Sequence, residues 1–496
     1  MDRKNIISLA IICILFVSLI AFISYTNFTE NNKEQEPFYI GVSFGGNNVQ
    51  DAETLIDKVA NYTNLFVLQS GLLKGDASAV NEIGDYAVSR GLHFAAYFDV
   101  LSPAQNALWI GSAKHRWGDM FVGVYFGDEP GGKLLDGGTT TFTLSTNKSI
   151  NISTDGTITY YDTLHYYATY YPNGDIIVTK TNGTLVFIPN PDDKTITIEH
   201  ELFNATTYNT NGSITFHEIL IQTTVKGNVP SSRVLSENYY TRENGSDYIA
   251  QLETYQQVKS KNPIPDYDAA ANLYINKTKG PIDNLRNQWN ISGGDFPVFT
   301  SDYGLYWWDY QSGYDMVLSQ LGWNNTVAQE IALVRGAANL QGKNWGTILT
   351  WKYTQAPYLA DGHEIFNQMK TSYENGAQYV ILFNYAESMS GPYGILQEEH
   401  FQALERFWNN VVQNTSVVHG GIKAEAALVL PRDYGWGMRH PQDTIWGLWN
   451  ANGTSQQIWN QVQSKLTQYG SKLDIVYEDP AYPITDRYSQ IYYWNQ

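Results

Sequence analysis

The strongest constraint on this chain is a repeated alternation. Short apolar runs, rich in β-branched and aromatic residues, recur along it with helical patterns between them. The runs are Phe38–Phe44, Leu65–Gln69, Leu92–Val100, Phe121–Phe126, Phe296–Thr300, Trp345–Trp351, Tyr379–Phe383 and Ala426–Leu430. Apolar residues at helical spacing fill Asp51–Ala60, Ala79–Ser89, Thr326–Gln341, His363–Glu374 and Gln397–Val412. Such alternation is the signature of a parallel α/β fold. Eight runs predict a (β/α)8 TIM-like barrel, and 496 residues leave room for insertions beyond the roughly 250 that such a barrel needs. The rival, a doubly wound open sheet, lacks its mark: no Gly-rich phosphate fingerprint follows the first run, and Gly45-Gly46 reads only as a turn. With 43% hydrophobic residues the chain can bury a core, which excludes a disordered protein.

The pattern breaks once. Between Leu134 and about Arg242 the period drops to two, as in TDGTITYY and DDKTITIEHELF, with Asn173-Gly174 and Asn182-Gly183 as hairpin signals. An all-β insertion after the fourth strand is expected. Barrel insertions favour the loops at the end that carries active sites, so it is expected to overhang that end; a ligand-free decoration is the plainer alternative. After the eighth run come a helical pattern, Ser455–Tyr469, and two apolar runs, Leu473–Tyr477 and Gln490–Trp494. They predict a small C-terminal α/β extension, to which Ala426–Leu430 could equally belong. The expected organisation is a cytoplasmic tip and transmembrane anchor over 1–25 and a linker over 26–36. The barrel takes 37–133 and 243–433, the β-rich insertion 134–242, and the extension 434–496.

Ile6–Tyr25 is an uncharged stretch long enough to span a bilayer, and Arg3 and Lys4 before it place the N-terminus in the cytoplasm. The expectation is a single-pass cell-membrane protein with its bulk outside; a cleaved signal peptide is the competing reading. A dense set of Asn-x-Ser/Thr sequons, among them Asn27, Asn147, Asn204 and Asn414, fits a glycosylated surface protein, and an archaeal one agrees with the lack of disulfides. Cys13, in the apolar stretch, is the single cysteine, so the remainder has neither disulfides nor thiolate metal sites. A net charge of −18 argues against nucleic acid as a partner. The aromatic content, 36 Tyr and 14 Trp, suits surfaces that stack on sugar rings, or simply an aromatic core.

Chemistry in a (β/α)8 barrel sits at the C-terminal ends of its strands. The third run ends in Asp99, and the fourth leads into Gly127-Asp128-Glu129-Pro130-Gly131-Gly132. Asp302, Tyr303, Trp307 and Trp308 follow the fifth, and the sixth ends in Trp351 and Lys352. Glu387 lies past the seventh, Arg432 and Asp433 past the eighth. The Asp-Glu-Pro after the fourth run and the Glu after the seventh resemble the clan A glycoside hydrolases. Members carry an acid/base Glu, commonly in Asn-Glu-Pro, after strand four and a nucleophile Glu after strand seven. Asp128 departs from the usual Asn. The resemblance implies Glu129 as proton donor and Glu387 as nucleophile or base, with a carbohydrate substrate.

The chemistry is consistent on its own terms, because glycosidic cleavage needs one protonated and one ionised carboxyl flanking the bond. Aromatic burial and a neighbouring Asp128 would raise the pKa of Glu129. Asp99, Asp128, Asp302, Tyr303, Trp307, Trp308, Trp351 and Lys352 are the candidate substrate contacts. The structural alternatives are a plain turn at Glu129, a loop acid at Glu387, a helix cap at Asp302 and core packing for the tryptophans. Arg432 and Asp433 read as a local salt bridge. No cofactor is implied: the nine histidines lack zinc-hydrolase spacing, and no G-x-S-x-G elbow occurs. The competing function is a non-catalytic glycan-binding or envelope protein on a degenerate barrel.

Overall fold

The computed structural model describes residues 37–70, 77–98, 110–136 apart from 111, and the strands between 141 and 242. It also describes 258–259, 264–292, and 296–496 apart from 324, 386–390 and 485. Eight parallel strands close into a barrel: β1 (Tyr39–Phe44), β2 (Leu65–Leu68), β3 (His93–Phe98), β4 (Phe121–Phe126), β5 (Val298–Asp302), β6 (Met316–Leu321), β7 (Asn344–Leu349) and β8 (Tyr379–Leu382). The closure pairs the first strand with the last, Tyr39 opposite Tyr379, whose rings stack at 4.6 Å. The predicted TIM-like barrel is therefore present, with one change in its membership. Met316–Leu321 is the sixth strand, and Ala426–Leu430 is not a barrel strand.

The physical reason lies in the local sequence. Only a six-residue helix, α5 (Tyr306–Gln311), separates β5 from β6, far less than the usual crossover. β6 also carries buried polar residues, Ser319 and Gln320, inside its apolar run. Ala426–Leu430 is apolar and fully buried, as a parallel strand should be, but it is the centre of a second sheet. There β9 (Ala426–Leu430) lies between β10 (Leu473–Tyr477) and β11 (Gln490–Tyr493), all parallel.

The barrel interior is filled by alternate residues of its strands, among them Leu65, Val67, Val122, Phe299, Leu318 and Ile381. On β4 the alternation is broken on purpose. Phe94 pairs with Phe121 but Ala95 with Gly123, so one extra residue bulges from the strand. Gly123 takes a φ of 144°, and a Cβ there would lie 2.7 Å from the Pro297 carbonyl oxygen. The extra residue turns both Val122 and Tyr125 into the interior, although residues three apart on a regular strand face opposite ways.

Helices cover the outside: α1 (Val49–Val59), α2 (Ala77–Ser89), α3 (Pro130–Leu135), α4 (Tyr267–Ser292), α6 (Val327–Gln341), α7 (Gly362–Glu374) and α8 (Glu398–Phe407). α6 is buried nearly all round. Its Arg335 reaches into the second sheet, where Nε bonds Asp474 at 2.8 Å and Nη2 the Leu473 carbonyl at 3.0 Å. The C-terminal sheet thus packs on the barrel wall rather than hanging from it.

Strands also fill the segment between α3 and α4. Thr141–Phe142, His165–Tyr170, Ile176–Thr181, Thr195–Tyr208, Ile214–Lys226 and Val229–Arg242 form one antiparallel sheet. Ser149–Ile152, Ile158–Tyr161 and Thr184–Phe187 form another. The strands flanking Asn182-Gly183 belong to different sheets, so that pair does not join a hairpin, whereas those flanking Asn173-Gly174 do pair. The apolar segment Ile6–Tyr25 lies outside the described residues. Among the described residues no helix is long and apolar enough to cross a membrane.

Candidate active site

At the end of β4 the chain turns sharply. Glu129 adopts a left-handed conformation, φ 55° and ψ 47°, uncommon for a residue with a side chain. Its N–H donates to the Ser301 carbonyl at 2.9 Å, tying the turn to β5. Pro130, with its fixed φ and no N–H to satisfy, then opens α3. Asp302 accepts the next two helical amides, Gly131 N–H at 2.6 Å and Gly132 N–H at 2.7 Å, and the Tyr303 amide at 2.7 Å. The glycine pair in the motif has a packing cause: a Cβ on Gly132 would lie 2.2 Å from the Tyr303 ring.

This turn holds the Glu129 carboxyl at the barrel mouth with 26% of its side chain exposed. Gln320 Nε2 of β6 donates to Oε1 at 2.6 Å, and Lys133 Nζ stands 3.5 Å from Oε2. Burial raises the Glu129 pKa, and the neighbouring Asp128 raises it further; Lys133 and Gln320 oppose them with weaker effect. Asp128 accepts the Tyr125 hydroxyl and, at 3.2 Å, Ser301 Oγ, with Lys133 Nζ 3.6 Å away. Tyr125 is fully buried, and burial together with the Asp128 charge keeps its hydroxyl protonated far above the ordinary phenol range. The result is a carboxyl disposed to retain its proton, beside a second carboxyl that is held by hydrogen bonds.

The other expected residues divide into three groups. Trp351 and Lys352 do stand at the rim, beyond β7. Trp351 Nε1 donates to the Tyr385 carbonyl at 2.8 Å, and its ring lies 5.9 Å from Trp323 and 5.3 Å from Tyr358. Lys352 Nζ pairs with Glu364 at 2.5 Å. A cleft of about 610 Å³ lies there, lined by Trp323, Lys352, Tyr353 and 354–357, with Trp323 43% and Tyr353 44% exposed.

Asp302, Trp307 and Trp308 are interior instead. Asp302 is wholly enclosed, its pKa pushed up to about 7 by burial against the pull of its three amides. Trp308 packs on Trp446 and Tyr477 at 4.7 and 4.5 Å, because α5 is pressed between the barrel and the C-terminal sheet. Tyr303 turns its hydroxyl to Asp136 at 2.6 Å. Arg432 pairs with Asp433 at 3.0 Å, as a local salt bridge.

Asp99 and Glu387 lie outside the described residues. The strand order still changes what Glu387 follows: with Met316–Leu321 as β6, it comes after β8. Beyond β7, where the clan A pattern has its nucleophile, stand Thr350, Trp351 and Lys352. Sequence reasoning overlooked Gln320, Ser301 and Lys133. Lys133 had a signal, an i,i+4 position relative to Glu129. Among the described residues no His/Cys/Asp/Glu cluster could hold a metal ion. No protein-family model matches the chain, and no curated protein matches its sequence.

Proposed function

We propose that this chain is a glycoside hydrolase-like protein in which Glu129 is the proton donor to the leaving group. One observation carries the reading. The Glu129 carboxyl at the C-terminal end of β4 is partly buried and has its pKa raised, because burial and the adjacent Asp128 outweigh the Lys133 ammonium 3.5 Å away and the Gln320 amide. That is the environment a general acid requires near neutral pH. The opposing carboxylate cannot be Asp128, which shares the same turn and cannot flank a sugar ring from the other side. Glu387, carried just beyond β8, is the candidate. The apolar Ile6–Tyr25 segment and the sequons support an anchored, extracellular placement, where glycans are the accessible substrates.

A second reading, glycan binding without cleavage, has its own support. The end of β7 offers an aromatic and a lysine where the resemblance has a carboxylate. A glycan panel on wild type, Glu129→Gln and Glu387→Gln separates the two. The hydrolase reading expects each substitution to lower the rate by about 10²-fold or more, with little change in Tm. Fully active Gln variants would sink the assignment. A wild type that binds a glycan and cleaves none establishes the second reading.

A further inference from the structure

The short helix behind Glu129 is gripped from its far end by the C-terminal segment 434–449. Arg439 forks onto Asp443, Nε to Oδ2 at 2.8 Å and Nη2 to Oδ1 at 2.7 Å, and extends Nη1 to Asp136, the residue that ends α3. Asp136 also accepts the Tyr303 hydroxyl, and the guanidinium lies 5.5 Å over the Tyr303 ring. Thr444 Oγ1 donates to the Leu135 carbonyl at 2.8 Å, satisfying a backbone group left open where α3 ends. Backbone strain gathers on the same two partners. Glu129 has φ 55°, Met438 56° and Trp446 56°, conformations that cost free energy and persist only where surrounding contacts enforce them. A helix of six residues has almost no stability of its own, so these contacts, with Asp302 at the other end, fix its position.

We propose that Arg439, with Thr444, is a positioning residue for the Glu129 carboxyl, so that the C-terminal extension is part of the acid site. The inference rests on reading Glu129 as the proton donor, but the grip itself is geometric. Arg439 makes its charged contacts with Asp136 and Asp443, not with Glu129. The groups that face Glu129 are Asp128 on its own turn, Lys133 on α3, Asp302 from β5, and the phenols of Tyr125 and Tyr303. Releasing α3 would let water reach the carboxyl and lower its proton affinity. Losing a nearby positive charge alone would raise it. The two mechanisms therefore differ in sign.

The experiment is carbodiimide labelling of the full chain in detergent across a pH series, with glycine ethyl ester as the amine, read at Glu129 by mass spectrometry. Exposed Glu398 serves as the internal reference. In Arg439→Met the labelling midpoint of Glu129 is expected to fall by about one pH unit, a roughly tenfold loss of proton affinity. Thr444→Val, neutral and isosteric, should lower it in the same direction by roughly half as much. A rise in Arg439→Met, or an unchanged midpoint in both variants, overturns the proposal. Should Arg439→Met fail to fold because Asp443 is left buried without its counter-charge, Thr444→Val decides alone. No substrate is involved, so the hydrolase reading can fail on the glycan panel while this result stands.

Discussion

Glu330 sits fully buried on α6, accepting the Tyr306 hydroxyl at 2.5 Å. Burial pushes its pKa up to about 7, above its ordinary value of 4.5, with Tyr306 and Arg439 pulling the other way. A carboxyl that binds its proton more tightly when folded favours the native state at low pH. That contribution is complete below the unfolded pKa and is lost as pH rises through the folded one. Urea midpoints are therefore expected to fall between about pH 5 and pH 8, with Glu330 accounting for roughly 3 kcal/mol or less. Glu330→Gln should flatten that slope, and a slope that persists unchanged would show that Glu330 does not set it. Single residues differ in how far a sequence betrays them. The place of Glu129 was legible, because Pro-Gly-Gly after an apolar run marks a turn at a strand end. Gln320 was not: it is a neutral amide in an apolar strand, and its partner is 191 residues away. Trp307 and Trp308 were misplaced, because a tryptophan pair looks the same from the sequence whether it faces a ligand or a second sheet.

At the scale of elements, α6 shows what periodicity conceals. A helix covered on one side has an apolar stripe, whereas α6 is covered by β6 and β7 on one side and by the C-terminal sheet on the other. Its buried charge, Arg335, is neutralised by Asp474, with Asn375 and the carbonyls of Ser471 and Leu473 completing the guanidinium's bonds. Removing one partner strands the other in the interior, so Asp474→Leu should cost about 3–5 kcal/mol in urea unfolding. The double variant Arg335→Met/Asp474→Leu should recover most of that loss. Additive losses in the double variant would mean that the pair is not coupled. β6 went unseen for a related reason. The six-residue crossover helix before it is too short to register as a separate period, and two polar residues interrupt its apolar run. Seven of the eight expected runs are barrel strands; the eighth, Ala426–Leu430, belongs to the neighbouring sheet, and Met316–Leu321 takes its place.

For the whole molecule, the alternation of strands and helices was enough to anticipate a closed parallel barrel and a β-rich segment after its fourth strand. What the period could not convey is that two sheets share one helix. A chain ending before β9 would uncover the Arg335 face of α6 and the Trp308 side of α5. It is expected to lose the cooperative unfolding transition, as read by circular dichroism and tryptophan fluorescence. A truncated chain that melts sharply near the full-length Tm would show that the barrel stands alone.

The barrel seam sets a timetable for biosynthesis. The Asn384 amide donates to the Ser43 hydroxyl across 341 residues, and β1 bonds β8 along the same seam. At roughly 5–20 residues per second, a ribosome that has released the first strand needs about 20–70 s more to deliver the last. Through that interval the outer edge of β1 has no partner, and an unpaired, apolar strand edge is a template for aggregation. Closure thus has to wait until β8, about three quarters of the way along the chain, has been made, and the yield of this protein in a foreign host will depend on how well its chaperones shield one nascent strand.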